Sequence, residues 1–330
     1  MTGAGPQLTV WIPTYNRAGF LRDCLSALLD QGLARDEWTV VVSDNASTDA
    51  TPDVVREFSD RLPLRHLRRE TNIPAIDNLN AAGEAVRTPF LSVLCDDDLV
   101  PPGQLGRGLR TLRAHDDGVV YGALGLGVHR PGDPTAFPLG MLLDVAPVTG
   151  EPFLYRWSPR AWLANCSLHT PLTIIGSIFR LDRLPVRPLF DPAFPQEADR
   201  KLFIALTAHG AVYSSPWIGG YLRYHPGQQT RENLHDTRRD DVTRFAFETA
   251  KALGHDLAAH WREALPRLGE AELEWVGPRL ARRYPDGLGE ALLREAKVEE
   301  RLAALRRDRR AEKARRKGGL IGRLRGMLGG

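Results

Sequence analysis

The chain has 330 residues, of which 42% are hydrophobic and 26% are charged. Such a chain can bury a full core without disulfides or structural metals. The plentiful apolar residues exclude disorder throughout, and no run approaches the roughly 18 apolar residues of a membrane-spanning helix. The amino terminus predicts no secretory signal, and three widely spaced cysteines (Cys24, Cys95, Cys166) favour a reducing compartment. We therefore expect a cytoplasmic protein.

The charge is distributed unevenly along the chain. The net charge is +3, but residues 301–330 contain eleven Lys and Arg against two acidic residues, which makes this segment +9. The first 300 residues therefore carry −6. An acidic body with a basic carboxyl-terminal segment predicts an anionic partner for that segment alone.

Apolar segments alternate with helical patterns over the first 115 residues. The patterns predict strands at 8–12, 38–43, 64–67 and 90–94, and helices at about 20–29, 52–58, 76–83 and 103–114. Strands separated by helices of this length imply βαβ units and a parallel sheet covered on both faces.

The rest of the chain divides into a less regular part and a helical part. We expect strands at 118–128, 173–180, 211–215 and 218–225, a helix at 198–210, and a Pro-rich and Gly-rich loop over 129–160 that covers a site. From about 236 to 317 the patterns are helical, with one long charged helix at 287–317. We predict a catalytic domain over 1–230, made of halves at 1–115 and 116–230, and a helical region over 231–330.

Three adjacent carboxylates, Asp96, Asp97 and Asp98, follow the apolar strand at 90–94. Burying such a set is costly unless a positive charge lies beside it. Mg²⁺ and Mn²⁺ prefer carboxylate oxygens, and ligands of open parallel sheets bind at the carboxyl ends of strands. These residues therefore indicate a metal site, and a solvated acidic turn that caps the next helix is the alternative.

Two further polar clusters follow predicted strands. The first contains Pro13, Thr14, Tyr15 and Asn16, and the second contains Asp44 and Asn45. Each cluster alone is explained equally well by a turn or a helix cap. Three clusters at one edge of a sheet favour a ligand site, in which Tyr15 stacks on a base and Asp44 accepts hydrogen bonds from base or ribose.

The ordered set of motifs resembles a known family. VWIPTYNRAGFLRDCLSALLDQ, VVVSDNASTD, the stretch from Asn72 to Asn78 and LSVLCDDDLVPPGQL are similar to the nucleotide-binding half of family 2 glycosyltransferases, which have the GT-A fold. The resemblance covers about residues 8–115 and continues more weakly through GSIFR and EADRKLFIALTAHG to about 225. It implies a GT-A-like, Rossmann-related mixed sheet flanked by helices, with a helical carboxyl-terminal extension.

The resemblance also implies roles for individual residues. Residues around the nucleotide would be Pro13, Thr14, Tyr15, Asn16, Asn45, Asn72 and Asn78, with Asp44 on the base. Asp98 would be the metal ligand, with Asp96 or Asp97 nearer the ribose and Asp96 a second candidate ligand. Many members have an Asp where this chain has Cys95, so the choice of functional pair stays open.

In the family a Glu-Asp pair at the start of a later helix supplies the catalytic base. Here Ala198 replaces the Glu immediately before Asp199, and Glu197 lies one position further back. The resemblance therefore implies Asp199 as the base, with Glu197 as the second choice. The alternative is a simple helix cap, because a helix amino terminus stabilises carboxylates.

Several other residues are weaker candidates. His225 is a candidate metal ligand or phosphate contact, although a lone histidine is more often structural. Arg68 and Arg69 fit a phosphate contact or a solvated strand end. Core packing is the favoured interpretation of Trp157 and Trp162, and a sugar-stacking acceptor site formed with His169 is the alternative. Gly122, Gly125 and Gly127 do not match a dinucleotide-binding motif.

The carboxyl-terminal segment 301–330 combines basic residues with an apolar stripe of Leu320, Ile321, Leu324, Met327 and Leu328. This pattern is typical of a segment that binds an anionic membrane surface, and a solvated tail is the alternative. It would make the enzyme peripheral at the inner face of the membrane. The acidic body and the lack of a known motif argue against nucleic acid as a partner.

Together these features predict an inverting glycosyltransferase dependent on Mn²⁺ or Mg²⁺. It would move a sugar from a nucleotide-diphosphate sugar to a hydroxyl of a glycan, glycolipid or natural product. One alternative is a non-catalytic nucleotide-sugar-binding or scaffold protein. A sugar nucleotidyltransferase is less favoured, because PTYNRAGF lacks the Gly-rich, basic loop that such enzymes usually carry after the first strand.

Overall fold

The computed structural model describes residues 5–128, 134–136, 145–151, 153–184, 188–195, 197–223, 225, 239–309 and 311. These residues belong to two compact units, one of which extends to His255 while the other begins at Asp256. The first unit contains a mixed sheet with helices, and the second contains helices. The predicted fold class, a mixed sheet flanked by helices with a helical carboxyl-terminal region, is confirmed. Within the described ranges, none of the helices is long and apolar enough to cross a membrane.

Among the described residues, ten strands build the sheet of the first unit. They are β1 Leu8–Thr14, β2 Trp38–Asp44, β3 Leu64–Arg68, β4 Phe90–Val93, β5 Gly118–Val128, β6 Pro134–Ala136, β7 Val145–Pro147, β8 Tyr155–Trp157, β9 Ile178–Arg180 and β10 Ala211–Arg223. Their order is β3-β2-β1-β4-β9-β5-β10-β8-β7, with β6 paired to β5.

The first four strands form a parallel half of the sheet. β1 pairs with β2 and β4, and β2 pairs with β3. The apolar residues of β1 and β2 are buried on both faces, as expected for parallel strands covered by helices. Their carboxyl ends therefore meet at one edge of the sheet, where Thr14, Asp44 and the residues after Val93 lie.

The other half of the sheet departs from the predicted strands at two places. The strand expected at 173–180 is confined to β9, because Gly176 adopts a φ of +69° and interrupts the extended backbone. The two strands expected at 211–215 and 218–225 are one strand, β10, with register shifts at Ser215 and Ile218. β9 runs antiparallel between β4 and β5, whereas β10 pairs in parallel with β5.

The predicted loop at 129–160 is only partly visible in the described residues. It contains β6, β7 and β8, and Pro159 begins a helix. Residues 129–133, 137–144 and 152 lie outside the described residues. The Pro-rich and Gly-rich loop predicted over 129–160 therefore contains more regular structure than expected in the parts that are described.

Seven helices of the first unit have described bounds. They are α1 Ala18–Ala27, α2 Thr51–Phe58, α3 Ala75–Ala85, α4 Gln104–Ala114, α5 Pro159–Leu168, α6 Ala198–Leu206 and α7 Arg239–Ala252. The predicted apolar face of α1 is buried through Leu21, Cys24 and Leu25. α7 packs against α5 and α6, so it belongs to the same compact unit as the sheet.

The second unit contains α8 Leu257–Ala264, α9 Glu270–Arg283 and α10 Leu288–Glu295, followed by helical residues 298–309. The single helix expected over 287–317 is interrupted, because Lys297 has a φ of +50° that no α-helix accommodates. The remainder of that predicted helix, residues 310 and 312–317, lies outside the described residues, as does most of the segment 301–330.

One buried side chain fastens α3 to the sheet. The Asn78 Nδ2 donates to the Ser43 carbonyl oxygen at 3.0 Å, and its Oδ1 accepts hydrogen bonds from Ser43 Oγ at 2.7 Å and Arg69 Nε at 3.1 Å. Trp11 Nε1 also donates to the Asn78 carbonyl oxygen at 3.3 Å. Asn78 is therefore engaged by the protein itself, next to the carboxyl end of β2.

We predict that Asn78→Ala lowers the free energy of unfolding by about 2 kcal/mol, because Ser43 and Arg69 lose buried partners. Asn72→Ala is the matched control, since Asn72 is exposed and its loss should change stability by less than about 0.5 kcal/mol. Urea unfolding followed by circular dichroism measures both. Equal stabilities for the two variants would contradict the structural role of Asn78.

Candidate active site

The three carboxylates after β4 are all buried. Asp96, Asp97 and Asp98 expose 3%, 5% and 5% of their surfaces. The turn that carries them is closed by a hydrogen bond from the Asp98 amide to the Cys95 carbonyl oxygen at 3.1 Å. Ionised carboxyl groups at this depth need partners, because desolvation disfavours the charged form.

Asp96 and Asp97 have such partners. Arg17 Nη1 lies 3.1 Å from Asp96 Oδ1 and 2.8 Å from Asp97 Oδ2. The His225 Nε2 lies 3.0 Å from the same Asp97 oxygen, and Thr14 Oγ1 donates to Asp96 Oδ2 at 2.6 Å. The carboxylates raise the pKa of Arg17, although burial opposes that shift. The structure thus brings together one carboxylate cluster and two basic side chains.

Asp98 is less well compensated. Its Oδ1 accepts a hydrogen bond from the Arg223 amide at 3.1 Å. Burial, followed by the neighbouring charge of Asp97, raises the pKa of Asp98 to about 8. Burial also raises the pKa of Asp96 to about 6, against the hydrogen bond from Thr14 and the charge of Arg17. A further positive charge beside these carboxylates would therefore stabilise their ionised forms.

The same cluster offers ligand atoms for a cation. The Cys95 Sγ and carboxylate oxygens of Asp97 and Asp98 all lie within 4.8 Å of one another. Two carboxylates suit Mg²⁺ or Mn²⁺, whereas a thiol is a softer ligand that burial keeps protonated by raising the pKa of Cys95. The residues present fit a divalent cation held through oxygen.

Arg223, at the end of β10, holds the backbone of this cluster, and no sequence pattern singled it out. It donates from Nε to the Asp97 carbonyl oxygen, from Nη2 to the Phe20 carbonyl oxygen at 3.1 Å, and from Nη1 to Asp23 at 2.7 Å. Its guanidinium carbon lies 4.9 Å from the centroid of the Phe20 ring. The centroid of the His225 ring lies 4.4 Å from the same Phe20 centroid. The end of β10 is therefore joined to both α1 and the acidic turn.

The second polar cluster forms the turn after β2. Asp44 is fully buried, and its Oδ1 accepts a hydrogen bond from the Ser47 amide at 2.8 Å. Its Oδ2 lies 3.1 Å from His66 Nε2 and 3.7 Å from Arg68 Nε. No sequence pattern pointed to His66, which reaches Asp44 because β3 pairs in parallel with β2.

The turns after β1 and β2 are tied together by Asn16. Its amide donates to Ser47 Oγ at 3.0 Å, and its side-chain oxygen accepts from the Thr48 amide at 2.7 Å. Its φ of +52° places it in the left-handed region, which asparagine tolerates better than most residues. Tyr15, beside it, is 42% exposed, so its ring is free to contact a ligand.

The remaining predicted nucleotide residues are placed differently. Pro13 lies within β1 opposite Ser43. Asn45 is buried and exchanges two hydrogen bonds with the backbone of Ile73, at 2.7 and 3.0 Å. Asn78 is engaged as described above, whereas Asn72 is exposed. Asn45 and Asn78 thus have structural partners that account for their polar atoms.

The two candidate bases lie at the start of α6 in different surroundings. Glu197 Oε2 pairs at 3.0 Å with Arg200 Nη1, whose guanidinium also donates to the Ser167 carbonyl oxygen and to Thr243 Oγ1, both at 2.8 Å. Burial, followed by the charge of Glu197, raises the pKa of Asp199 to about 6, although the Arg200 amide donates to it at 2.7 Å. Glu197 therefore has a buried guanidinium as its partner, whereas Asp199 accepts a hydrogen bond from a backbone amide.

The favoured interpretation of Trp157 and Trp162 as core residues is confirmed. Both side chains are buried, with ring centroids 5.2 Å apart in an edge-to-face arrangement. Their indole N–H groups donate to Ser214 Oγ at 2.8 Å and to the Phe203 carbonyl oxygen at 2.9 Å. Both are core residues, because burying an aromatic ring with its N–H satisfied is favourable.

A spacious cleft lies elsewhere on the first unit. It has a volume of about 760 Å³ and is lined by residues 83–84 and 86–89 together with Leu181 and Asp182. Residues 86–89 precede β4, so this cleft is at the amino ends of the parallel strands. It contains none of the predicted site residues, and we assign it no part in the chemistry.

Comparisons with known proteins show what the amino-terminal segment is similar to. Residues 9–130 match the family described as "Glycosyl transferase family 2". Validoxylamine A glucosyltransferase from Streptomyces hygroscopicus subsp. jinggangensis is 49% identical over 65 residues, which are 20% of this chain and 15% of that protein. The poly(ribitol-phosphate) beta-N-acetylglucosaminyltransferase TarS from Staphylococcus aureus is 35% identical over 66 residues, 20% of this chain and 12% of that protein. The matched segments are thus short parts of these relatives.

The fold is shared more widely than the sequence. The structure of S. aureus TarS 1-349 in complex with UDP-GlcNAc superposes with a TM-score of 0.53, at 17% identity, over 89% of this chain and 90% of that chain. The structure of TarS 1-349 alone gives 0.51 over 92% of both chains, also at 17% identity. The GT-A-like fold expected from the motifs is therefore confirmed, and residues 9–130, which match the family 2 description, lie within it.

Proposed function

We propose that the chain is an inverting glycosyltransferase that uses a nucleotide-diphosphate sugar and a hydroxyl acceptor. The observation that carries the proposal is the buried cluster of Asp96, Asp97 and Asp98 at the carboxyl edge of a family 2 domain, beside the turns that follow β1 and β2. TarS, which shares the fold, binds UDP-GlcNAc. The donor sugar and the base of this chain's donor are left open.

The nucleotide would lie against the two turns. Tyr15 is exposed and suited to stack on a base, while Asp44 is already committed to Ser47 and His66 and would act mainly by shaping the pocket. Asp98, with Asp96 or Asp97, would hold Mn²⁺ or Mg²⁺, which offsets the charge of the leaving diphosphate. His225 contacts Asp97 and would orient that carboxylate, so its role as a direct metal ligand is the less favoured part of the proposal.

The transfer itself needs one base. The acceptor oxygen forms a bond to the anomeric carbon while the bond from that carbon to the diphosphate oxygen breaks, which inverts the configuration. The hydroxyl proton passes to Asp199, whose raised pKa suits a general base near neutral pH. Glu197 remains the second choice, and its pairing with Arg200 weighs against it.

The alternative function is that of a non-catalytic binding or scaffold protein. Such a protein would share the donor site but would have no use for a base at Asp199.

The proposed membrane contact of 301–330 concerns residues mostly outside the described ones. Within the described part, Arg306 pairs with Glu274 at 2.6 Å and Arg309 with Glu270 at 3.4 Å, so these two basic residues have partners in their own unit.

Donor binding is the first test. We expect UDP, GDP, CDP or dTDP, one of the four, to raise the melting temperature in the presence of Mn²⁺ by more than in its absence, because a ligand that binds only the native state stabilises it by mass action. Differential scanning fluorimetry of the full chain measures the shift for each nucleotide and its sugar conjugates.

Asp98→Asn should abolish the part of that shift that depends on Mn²⁺. Asp30→Asn is the matched control, since Asp30 is an exposed carboxylate after α1. A folded protein that responds to none of the nucleotides would contradict the proposed donor site.

Turnover is the second test. Asp199→Asn should lower kcat by about 10²–10⁴-fold, the usual contribution of a general base, with the Kd for the donor unchanged. Transfer to an accepted hydroxyl compound is followed by release of the nucleoside diphosphate. Glu197→Gln is the control and should retain most of the activity. A loss larger in Glu197→Gln than in Asp199→Asn would assign the base to Glu197, and no turnover by the unaltered protein would favour the scaffold.

The pH profile is the third test. Protonated Asp199 accepts no proton, and its pKa is raised to about 6, so kcat should fall as the pH drops below that value. The expected slope is about tenfold per pH unit, with a plateau at higher pH. The profile is measured at saturating donor, with donor binding determined at each pH. The residual activity of Asp199→Asn should lack this limb, and a limb that survives in the variant would assign the titration to another group.

A further inference from the structure

Two aromatic side chains lie together on the surface of the first unit. Phe153 and Trp217 are 54% and 48% exposed, and their ring centroids are 5.1 Å apart at an interplanar angle of 59°. Ile218, beside Trp217 in the chain, is 37% exposed. Single exposed apolar residues are ordinary, but adjoining aromatic rings form a patch that marks a binding surface.

The backbone at Phe153 is strained. The residue lies in the hairpin loop between β7 and β8, with a φ of +70°. A bulky side chain rarely adopts this left-handed conformation, which normally favours glycine. Burial of the ring does not repay the strain, because more than half of the side chain is exposed. Strained residues of this kind concentrate at ligand sites.

The backbone at Trp217 is also irregular. β10 shifts its register against β5 between Ser215 and Ile218, so that Trp217 and Ile218 are both exposed instead of alternating between faces. Gly219 and Gly220, which follow Ile218, allow the backbone of β10 to pack closely against its neighbours. A Cβ at Gly219 would lie 2.5 Å from the Ala123 side chain, and a Cβ at Gly220 would lie 2.5 Å from the Ile175 side chain. Bulges of this kind re-aim side chains next to functional sites.

Charged residues near Phe153 in the chain are paired. Glu151, two residues before Phe153, has its Oε1 2.8 Å from His115 Nε2, and Arg156, three residues after it, has its Nη2 2.9 Å from Asp117 Oδ2. A surface that binds an anionic membrane would carry an excess of basic residues instead. Two exposed aromatic rings on a hairpin whose Glu151 and Arg156 are paired suit a neutral saccharide, whose C–H faces stack on the rings.

β10 connects the pair to the acidic cluster. Trp217 lies six positions before Arg223, whose amide donates to Asp98 Oδ1, and the strand between them spans up to about 20 Å. We propose that Phe153 and Trp217 form a subsite for a neutral saccharide and hold a part of the acceptor several sugar units away from the reacting hydroxyl. The saccharide site rests on the geometry above, and its use by the acceptor rests on the proposed function.

The test measures saccharide binding without donor or metal. Maltohexaose, cellohexaose and chitohexaose are titrated into the full chain up to about 10 mM, with isothermal calorimetry and saturation-transfer NMR as readouts. We expect at least one to bind, and Phe153→Gly and Trp217→Ala to weaken it at least about tenfold. Phe153→Gly should fold well, because glycine adopts a φ of +70° without strain.

Leu29→Ala is the matched control, because Leu29 is a 39% exposed apolar residue of the same unit outside the pair. It should bind like the unaltered chain. Equal binding by all variants, or no binding of any of the three sugars, would overturn the proposal. So would binding to phosphatidylglycerol vesicles that depends on Phe153 and Trp217 in the absence of saccharide binding. Failure of the proposed donor site would be seen in the nucleotide experiment, as the absence of a shift in melting temperature. Saccharide binding to Phe153 and Trp217 would still be seen in the saccharide titration.

Discussion

The arrangement of the candidate site depends on the electrostatic cost of three adjacent buried carboxylates. Asp96, Asp97 and Asp98 repel one another and are removed from water, so the surrounding chain must supply positive groups and hydrogen-bond donors. Arg17 supplies charge, His225 places a ring nitrogen beside Asp97, and Arg223 supplies donors to the backbone of the turn. The compensation is incomplete at Asp98, which is the property expected of a site that receives a cation.

Much of the fold could be predicted from the sequence because its cause is local. The continuous apolar runs of β1 and β2 are typical of parallel strands buried on both faces, and parallel strands bring their carboxyl ends to one edge whatever the details of packing. Thr14, Asp44 and Asp96 could therefore be grouped without coordinates. The interruptions of a predicted strand at Gly176 and of a predicted helix at Lys297 were missed, because a positive φ depends on the surroundings of the residue.

The partners of the site residues could not be predicted in the same way. Arg17 and Arg223 lie 206 positions apart in sequence and have long side chains, so only the folded backbone decides which carboxylate or carbonyl each one reaches. Asn78 illustrates the opposite error. An asparagine near a nucleotide-binding edge suggests a ligand contact, yet Ser43 and Arg69 occupy its polar atoms. Residue type alone does not distinguish these cases, and it did not distinguish buried Trp157 from exposed Trp217 either.

The sequence separation within the site has a consequence for synthesis on the ribosome. The strands β1 to β4 and the acidic turn are complete once the first 100 residues have emerged, but His225 and Arg223 follow more than 120 residues later. Until then the carboxylates have Arg17 as their described cationic partner. The nascent amino-terminal half therefore carries an open, acidic sheet edge, and contacts of such long range are slow to form. The contacts of Arg223 with the acidic turn would form only when β10 joins the sheet, late in translation.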